Sequence, residues 1–347
     1  MSGGIPRVAL SGCGAVARLY YAPALRVLEE RGVIAFVAAF DPNEAAVRAF
    51  VSGRTAVACS SFAAIFDHAP DLVIVASPPA FHREQVMEAL GRKVAVHCEK
   101  PLAPDMDSAR AMTSAAEAHD RPVFAGMIRR HLPAARMIRD LLGAGALGPL
   151  TSIDIFEGGP FDWPIESPRY FTAGSGNGPL EDIGTHCLDL LCWWMGTPDE
   201  IAYEDDAMGG TPANCAIALR FGDCAVRVRI SRDWYRPNRY ALRGAKGWIS
   251  WEPNDGLGLQ LGYFHEDTGA RIALRQCTEQ AGVPRLGRPA DDFMEAFVTQ
   301  LHQSVLGLSG AGNAVALSEA LEPIGLIEEC RRVRRAMVQP WLEGARP

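Results

Sequence analysis

The amino-acid sequence predicts two domains. The first is an α/β domain on a doubly wound parallel sheet, and the second an α+β domain with a large, open, mostly antiparallel sheet. Three observations carry this reading. Through residue 127, short apolar runs alternate with helical stretches, the pattern of a parallel sheet covered on both faces. The first run opens straight into Gly12-Cys13-Gly14-Ala15-Val16-Ala17. Past Leu132 the pattern changes to half-polar, alternating strands. The division therefore falls between 1–127 and 128–347, leaving the C-terminal helix free to pack back on the first domain.

Arg7 to Ser11 is the first strand, and the glycine segment after it has the form G-x-G-x-x-A. Its first glycine permits a tight turn, and the second lets backbone approach a pyrophosphate. The small Ala17 allows helix and strand to pack closely, with the helix N-terminus facing the phosphate charge. The next strand, Val33 to Phe40, ends in Asp41, where a dinucleotide fold places the carboxylate that binds the adenosine ribose. Pro42-Asn43 follow with no adjacent arginine, which favours NAD over NADP. The competing reading of Asp41 is a helix N-cap.

Asn43 to Ser52 reads as a helix, Val57 to Cys59 as a strand, and Ser61 to Phe66 as a helix capped by Ser60 or Ser61. The strand Leu72 to Ala76 stops at Ser77-Pro78-Pro79, a stiff loop at the ligand-facing end of the sheet. In the helix from Phe81 to Leu90, His82 either lines the cofactor pocket or faces solvent. The apolar run Val94-Ala95-Val96-His97-Cys98 then breaks into Glu99-Lys100-Pro101, placing a lysine where ligands of open α/β sheets bind. A helix from Met106 to Ala118 and a strand from Pro122 to Ala125 complete six strands.

In the second part, Pro133 opens a helix to Leu142 and Leu150 to Glu157 alternates as a strand. A long polar, aromatic segment runs from Gly158 to Gly178, and loops of that length are usually functional. A helix follows from Leu180 to Met195. Successive strands are expected at Ala213 to Phe221, Cys224 to Ser231, Arg239 to Arg243, Gly247 to Glu252 and Gly258 to Tyr263. Helical regions close the chain at Pro289 to Leu301 and Ala314 to Val338. The basic run Arg331 to Arg335 suits the exposed carbonyls of a helix C-terminus.

Asp182 and His186 are four residues apart on one helix face, with Asp189 close to the same face. A carboxylate beside a histidine orients the ring and raises its basicity, as a general base requires. The rest of that helix is apolar, which argues against a solvated polar stripe. Gly184 within it costs up to about 1 kcal/mol relative to alanine, and implies close approach of a ligand or a backbone. Three possible ligands on one helix make a weak metal site, and no metal is expected.

With these residues in view, the chain resembles the glucose–fructose oxidoreductase and inositol dehydrogenase (Gfo/Idh/MocA) family over nearly its whole length. The likeness rests on the GCGAVA loop, Ser77-Pro78-Pro79 to His82, Glu99-Lys100-Pro101, and the Gly-x-Gly-x-Leu-x-Asp-x-Gly-x-His-x-x-Asp pattern from Gly176 to Asp189. The resemblance implies a Rossmann domain and assigns Lys100, Asp182 and His186 as catalytic around the nicotinamide. It also implies a cis peptide before Pro101. Cofactor binding would involve Gly12, Cys13, Gly14, Ala15, Val16, Asp41, Ser77, Pro78, His82, Glu99 and Lys100. One departure stands out: many relatives have three consecutive glycines where this chain has Gly174-Ser175-Gly176-Asn177-Gly178-Pro179.

The implied activity is NAD-dependent hydride transfer to or from a sugar, cyclitol or sugar derivative, with NADP the less favoured cofactor. The alternatives are a glycoside-cleaving or epimerising enzyme with no net redox change, and a non-catalytic dinucleotide-binding sensor. Substrate-facing candidates are Trp163, Arg169, Tyr170, Trp234, Tyr235 and Arg236, since aromatic faces suit a sugar ring and arginine an anionic group. Arg130 is expected to be structural.

A net charge of −7 argues against a nucleic-acid partner, and no apolar run reaches membrane-spanning length. Nine cysteines with no CxxC pair, and an N-terminus unlike a signal peptide, fit a reducing cytoplasm. The open sheet suggests a homodimer or homotetramer.

Overall fold

The computed structural model describes residues 4–161, 164, 178–233, 236–254, 258–264, 269–273 and 292–337. The chain divides into two compact units, Met1–His131 with Cys277–Ile324, and Leu132–Gln276 with Gly325–Pro347.

The first unit is built on a parallel sheet of β1 (Arg7–Ser11), β2 (Ala35–Phe40), β3 (Val57–Cys59), β4 (Leu72–Val75), β5 (Ala95–Glu99) and β6 (Val123–Gly126), in the order β3-β2-β1-β4-β5-β6. Leu72 to Val75 and Ala95 to Glu99 are buried throughout, the burial expected of central parallel strands. The strand order reverses at β1, which pairs with both β2 and β4, so the crevice beyond its C-terminal end is the position for a ligand. The helices are α1 (Ala22–Glu30), α2 (Glu44–Val51), α3 (His82–Gly91) and α4 (Met106–His119). Asn43 caps α2 and Asp105 caps α4 through side-chain oxygens accepting backbone N–H groups. The helix expected over 61–66 is instead a 3₁₀ turn, Ala63–His68, with the Ala64 N–H bonded to Ser61 Oγ. A helix from the C-terminal part of the chain, Asp292–Gly307, belongs to this unit, and its Phe297 stacks on Tyr20 at 4.6 Å.

The second unit contains α5 (Pro133–Gly143), β7 (Leu150–Gly158), α6 (Thr185–Met195), β8 (Glu200–Asp205), β9 (Asn214–Phe221), β10 (Cys224–Ser231), β11 (Arg239–Gly244), β12 (Gly247–Trp251), β13 (Gly258–Tyr263) and β14 (Gly269–Ala273). Here α7 denotes Asp292–Gly307; it is followed by α8 (Leu321–Arg332) and β15 (Arg335–Ala336). The strands form one nine-stranded sheet, β14-β13-β12-β11-β7-β10-β9-β8-β15. It is mostly antiparallel, but β7 lies between β10 and β11 and runs parallel to β10. The mostly antiparallel sheet predicted from the sequence thus includes two parallel pairings, β7 with β10 and β8 with β15. Val226, Val228 and Ile230 point inward while Arg227 and Arg229 point outward, both paired with Asp154, at 2.6 and 2.9 Å. The basic run that closes α8 is held by ion pairs, Arg331 to Glu181 at 3.0 Å and Arg334 to Asp205 at 2.6 Å. Among the described residues every cysteine is a free thiol, and no helix is long and apolar enough to cross a membrane.

Candidate active site

In the first unit the glycine loop sits at the switch point. Gly12 has φ +94°, and a Cβ there would lie 2.5 Å from the Ala76 carbonyl, so only glycine lets the loop close on the end of β4. At Gly14 the requirement is different: a Cβ would meet nothing within 4 Å, leaving open space over the second glycine for a pyrophosphate. Ala17 is fully buried, as the helix–strand packing argument requires. The buried Ser11 hydroxyl beside the loop has no hydrogen-bond partner among the described residues. Asp41 ends β2 with Oδ2 accepting the Cys13 N–H at 2.7 Å and Oδ1 accepting the Asn43 N–H at 2.8 Å. It is not the cap of α2, because Asn43 is. Burial, with Asp41 alongside, pushes the Cys13 thiol up to about 12, so it is inert. These residues fit an adenine dinucleotide: a tight loop, an open backbone face and a carboxylate at the ribose position.

The helix after this loop passes through a wide π turn, Ala17–Tyr21, a feature frequent at functional sites. Tyr21 is carried inward by it. The Lys100–Pro101 peptide is cis, as the resemblance implies. His82 corrects both sequence-based alternatives, since it neither lines the crevice nor faces solvent. It is fully buried, with Nε2 2.7 Å from the Ser77 carbonyl and Nδ1 3.0 Å from the Pro101 carbonyl. It ties the loop after β4 to the loop after β5. Glu99, assigned to the cofactor, is also turned inward. Its Oε1 accepts the Tyr21 hydroxyl at 2.6 Å and its Oε2 the Lys100 N–H at 3.0 Å, and burial raises the carboxyl's pKa. Arg130 is buried against Glu319 at 3.1 Å, the structural role expected of it.

The second unit holds the aspartate–histidine segment. Asp182 lies in another π turn, Leu180–Gly184, which leads into α6 carrying His186 and Asp189, both buried. To this pair the structure adds an arginine that the sequence reading missed. Arg232 Nη2 donates to Asp182 Oδ2 at 2.8 Å, and its guanidinium lies over the Phe161 ring at 4.8 Å. The arginine is buried, whereas the Asp182 side chain is 31% exposed. A signal was present: Arg232 continues the inward phase of Val226, Val228 and Ile230. A Cβ at Gly184 would lie 3.2 Å from Leu180 Cδ1 and 3.5 Å from both Ile230 Cδ1 and the Pro179 carbonyl oxygen, so side chains and one backbone atom crowd the position. Beneath α6, the buried Glu157 accepts hydrogen bonds from Tyr240 and from the Cys187 thiol. Arg236 stacks on Phe156 at 5.2 Å. Trp163, Arg169, Tyr170, Trp234 and Tyr235, and the run from Gly174 to Asn177, lie outside the described residues.

Comparison with known proteins agrees with this organisation. Residues 6–127 match the oxidoreductase family with an NAD-binding Rossmann fold, and residues 135–250 match the GFO/IDH/MocA C-terminal domain. Among curated relatives, glucose-6-phosphate 3-dehydrogenase of Bacillus subtilis is 27% identical over 56% of this chain and 55% of its own. Inositol 2-dehydrogenase of Leifsonia xyli is 29% identical over 55% of this chain and 54% of its own. The chain thus spans about half the length of the curated relatives it matches. An oxidoreductase from Agrobacterium radiobacter, solved with NAD+, L-tartaric acid and magnesium, shares the fold with a TM-score of 0.78 at 19% identity, covering 95% of this chain and 96% of that one. The two family matches together take in most of the sequence, and the chain belongs to the Gfo/Idh/MocA family of oxidoreductases.

Proposed function

We propose that this chain is an NAD-dependent oxidoreductase. It moves a hydride between nicotinamide and a secondary alcohol or ketone of a sugar, cyclitol or sugar derivative. The observation that carries the reading is the glycine loop closed on Asp41 at the β1 switch point, with Lys100 at the end of β5 in the same sheet. The names of the relatives, a sugar-phosphate dehydrogenase and an inositol dehydrogenase, support a polyol substrate. Asp41 supports NAD over NADP, because a 2′-phosphate would meet its carboxylate.

Bound NAD supplies the hydride acceptor. Oxidation of a secondary alcohol also releases a proton, and His186 takes it from the substrate hydroxyl. Asp182 orients the imidazole and stabilises its charged form, while Arg232 holds Asp182 in place. Lys100 donates a hydrogen bond to the reacting oxygen. In the reductive direction the same groups return the proton to the carbonyl. We also propose that two or four copies assemble through the open face of the nine-stranded sheet, where Ala202, Ala218, Ala225 and Ala241 line a shallow groove beside Asp154 and Arg227.

The test is a panel of sugars and inositols offered with NAD, following NADH absorbance. Lys100→Ala and His186→Ala should each lower turnover by about 10²- to 10⁴-fold with NADH binding largely kept. Wild-type turnover in His186→Ala would refute the base assignment. Cofactor that copurifies while no substrate yields NADH would favour the redox-neutral alternative.

A further inference from the structure

Five polar side chains are buried together behind Lys100 in the first unit. His97 and Glu99 alternate on one face of β5, Gln300 and Ser304 lie one turn apart on α7, and Tyr21 reaches them from the π turn. Tyr21 Oη is 2.6 Å from Glu99 Oε1 and 2.8 Å from His97 Nε2, and His97 Nδ1 is 2.9 Å from Ser304 Oγ. Ser304 Oγ can also donate to the Gln300 carbonyl at 3.2 Å. Gln300 Nε2 lies 3.3 Å from His97 Nε2, and its Oε1 has no partner among the described residues. Burying such a set is costly unless every member is satisfied.

The chain can be satisfied in two directions. With Glu99 ionised, Tyr21 donates to Glu99, His97 Nε2–H donates to Tyr21, and Ser304 donates to His97 Nδ1. With Glu99 protonated, every bond reverses: Glu99 donates to Tyr21, Tyr21 to His97 Nε2, His97 Nδ1–H to Ser304, and Ser304 to the Gln300 carbonyl. One proton added at His97 Nδ1, with one passed along each link, converts the first state into the second. His97 stays neutral in both and changes tautomer. The Gln300 amide can turn over to match either state.

We propose that this chain is a two-state proton store and that Glu99 is a positioning residue, whose charge at the Lys100 N–H and near the lysine ammonium sets how firmly Lys100 is held. The inference rests on the role given to Lys100 above. Among the described residues, the titratable groups that face Glu99 are Tyr21, His97, Cys98 and Lys100, and α7 contributes the Gln300 amide and the Ser304 hydroxyl to the chain. Burial raises the Tyr21 value and lowers that of His97, so both stay neutral, and it raises the Glu99 value, so the carboxyl is the group that takes up the proton.

The test reads the tautomer of His97 by ¹⁵N NMR of the ring in cofactor-free protein between pH 5 and 9, beside the pH profile of kcat/KM. The wild type should pass from Nδ1–H to Nε2–H as pH rises. In Glu99→Gln the amide donates to Tyr21 at every pH, so His97 should stay Nδ1–H. In the same variant kcat should fall about tenfold with KM for NAD within about twofold, and the matching limb of the pH profile should vanish. Tyr21→Phe, a second variant, should also abolish the switch. One tautomer throughout in the wild type, or a wild-type switch in Glu99→Gln, overturns the proposal. If no polyol is oxidised, the functional reading fails, and the tautomer titration still decides the proton store.

Discussion

His97 makes the first unit sensitive to acid, and the size of the effect follows from its surroundings. Its side chain is fully buried between Tyr21 and Ser304, and burial pushes its pKa down from 6.5 to about 3. Between those values the unfolded chain binds a proton that the folded chain does not, so stability is present above pH 6.5 and is lost as pH falls. From pH 7 to pH 5 the linkage relation gives a loss of about 2 kcal/mol from this one group, and any folded value below about 4 gives the same figure. Glu99 acts with the opposite sign. Its folded value is raised above 4.5, so its contribution is present at low pH and is lost as pH rises. The informative comparison is therefore with His97→Gln, which keeps polar partners for Tyr21 and Ser304 but does not titrate. Urea unfolding of both proteins at pH 7 and pH 5 should show the wild type losing about 2 kcal/mol more than the variant. Tryptophans begin only at Trp163, so circular dichroism is the better probe of this unit. Equal losses in the two proteins would refute the assignment of a neutral, buried His97.

Two further substitutions test the site. Arg232→Gln leaves the partly exposed Asp182 carboxylate without its guanidinium, and should lower kcat/KM for the polyol about 10- to 100-fold with NADH affinity unchanged. Partial recovery in Arg232→Lys would mark a charge effect, and unaltered kcat/KM in Arg232→Gln would remove Arg232 from the site. Asp41→Ser removes the ribose carboxylate and its bond to the Cys13 N–H, so NAD should bind about tenfold more weakly and NADP should gain relative to it. Equilibrium NADH and NADPH fluorescence titrations read the ratio, and an unchanged preference would count against the ribose role.

The first unit was legible because its strands are buried on both faces. Runs such as Leu72-Val73-Ile74-Val75 announce themselves without reference to any partner. The strand Glu200–Asp205 escaped notice for the converse reason: near the sheet edge it is half solvated, and its acids fall on both faces. The insertion of β7 between β10 and β11 is a pairing between segments about eighty residues apart, and no local pattern encodes it. The two π turns were equally hidden, since one extra residue in a helical turn has no compositional mark. In the second of them, Asp182 sits in a turn wider than the α-helix assumed from its spacing with His186.

By itself the sequence determined the dinucleotide loop, the carboxylate at the end of β2, and the lysine at the end of β5. Each of these follows from residue type and short-range order, because glycines, an acid and a proline act on the backbone within a few residues of themselves. Tertiary structure decided which way the neighbouring polar groups face. It turned His82 and Glu99 away from the crevice, brought Arg232 to Asp182 across fifty residues of sequence, and buried His97 against a helix two hundred residues later. Those partners are chosen by burial, which exacts a hydrogen bond from every enclosed polar atom and accepts it from whatever part of the chain the fold brings near.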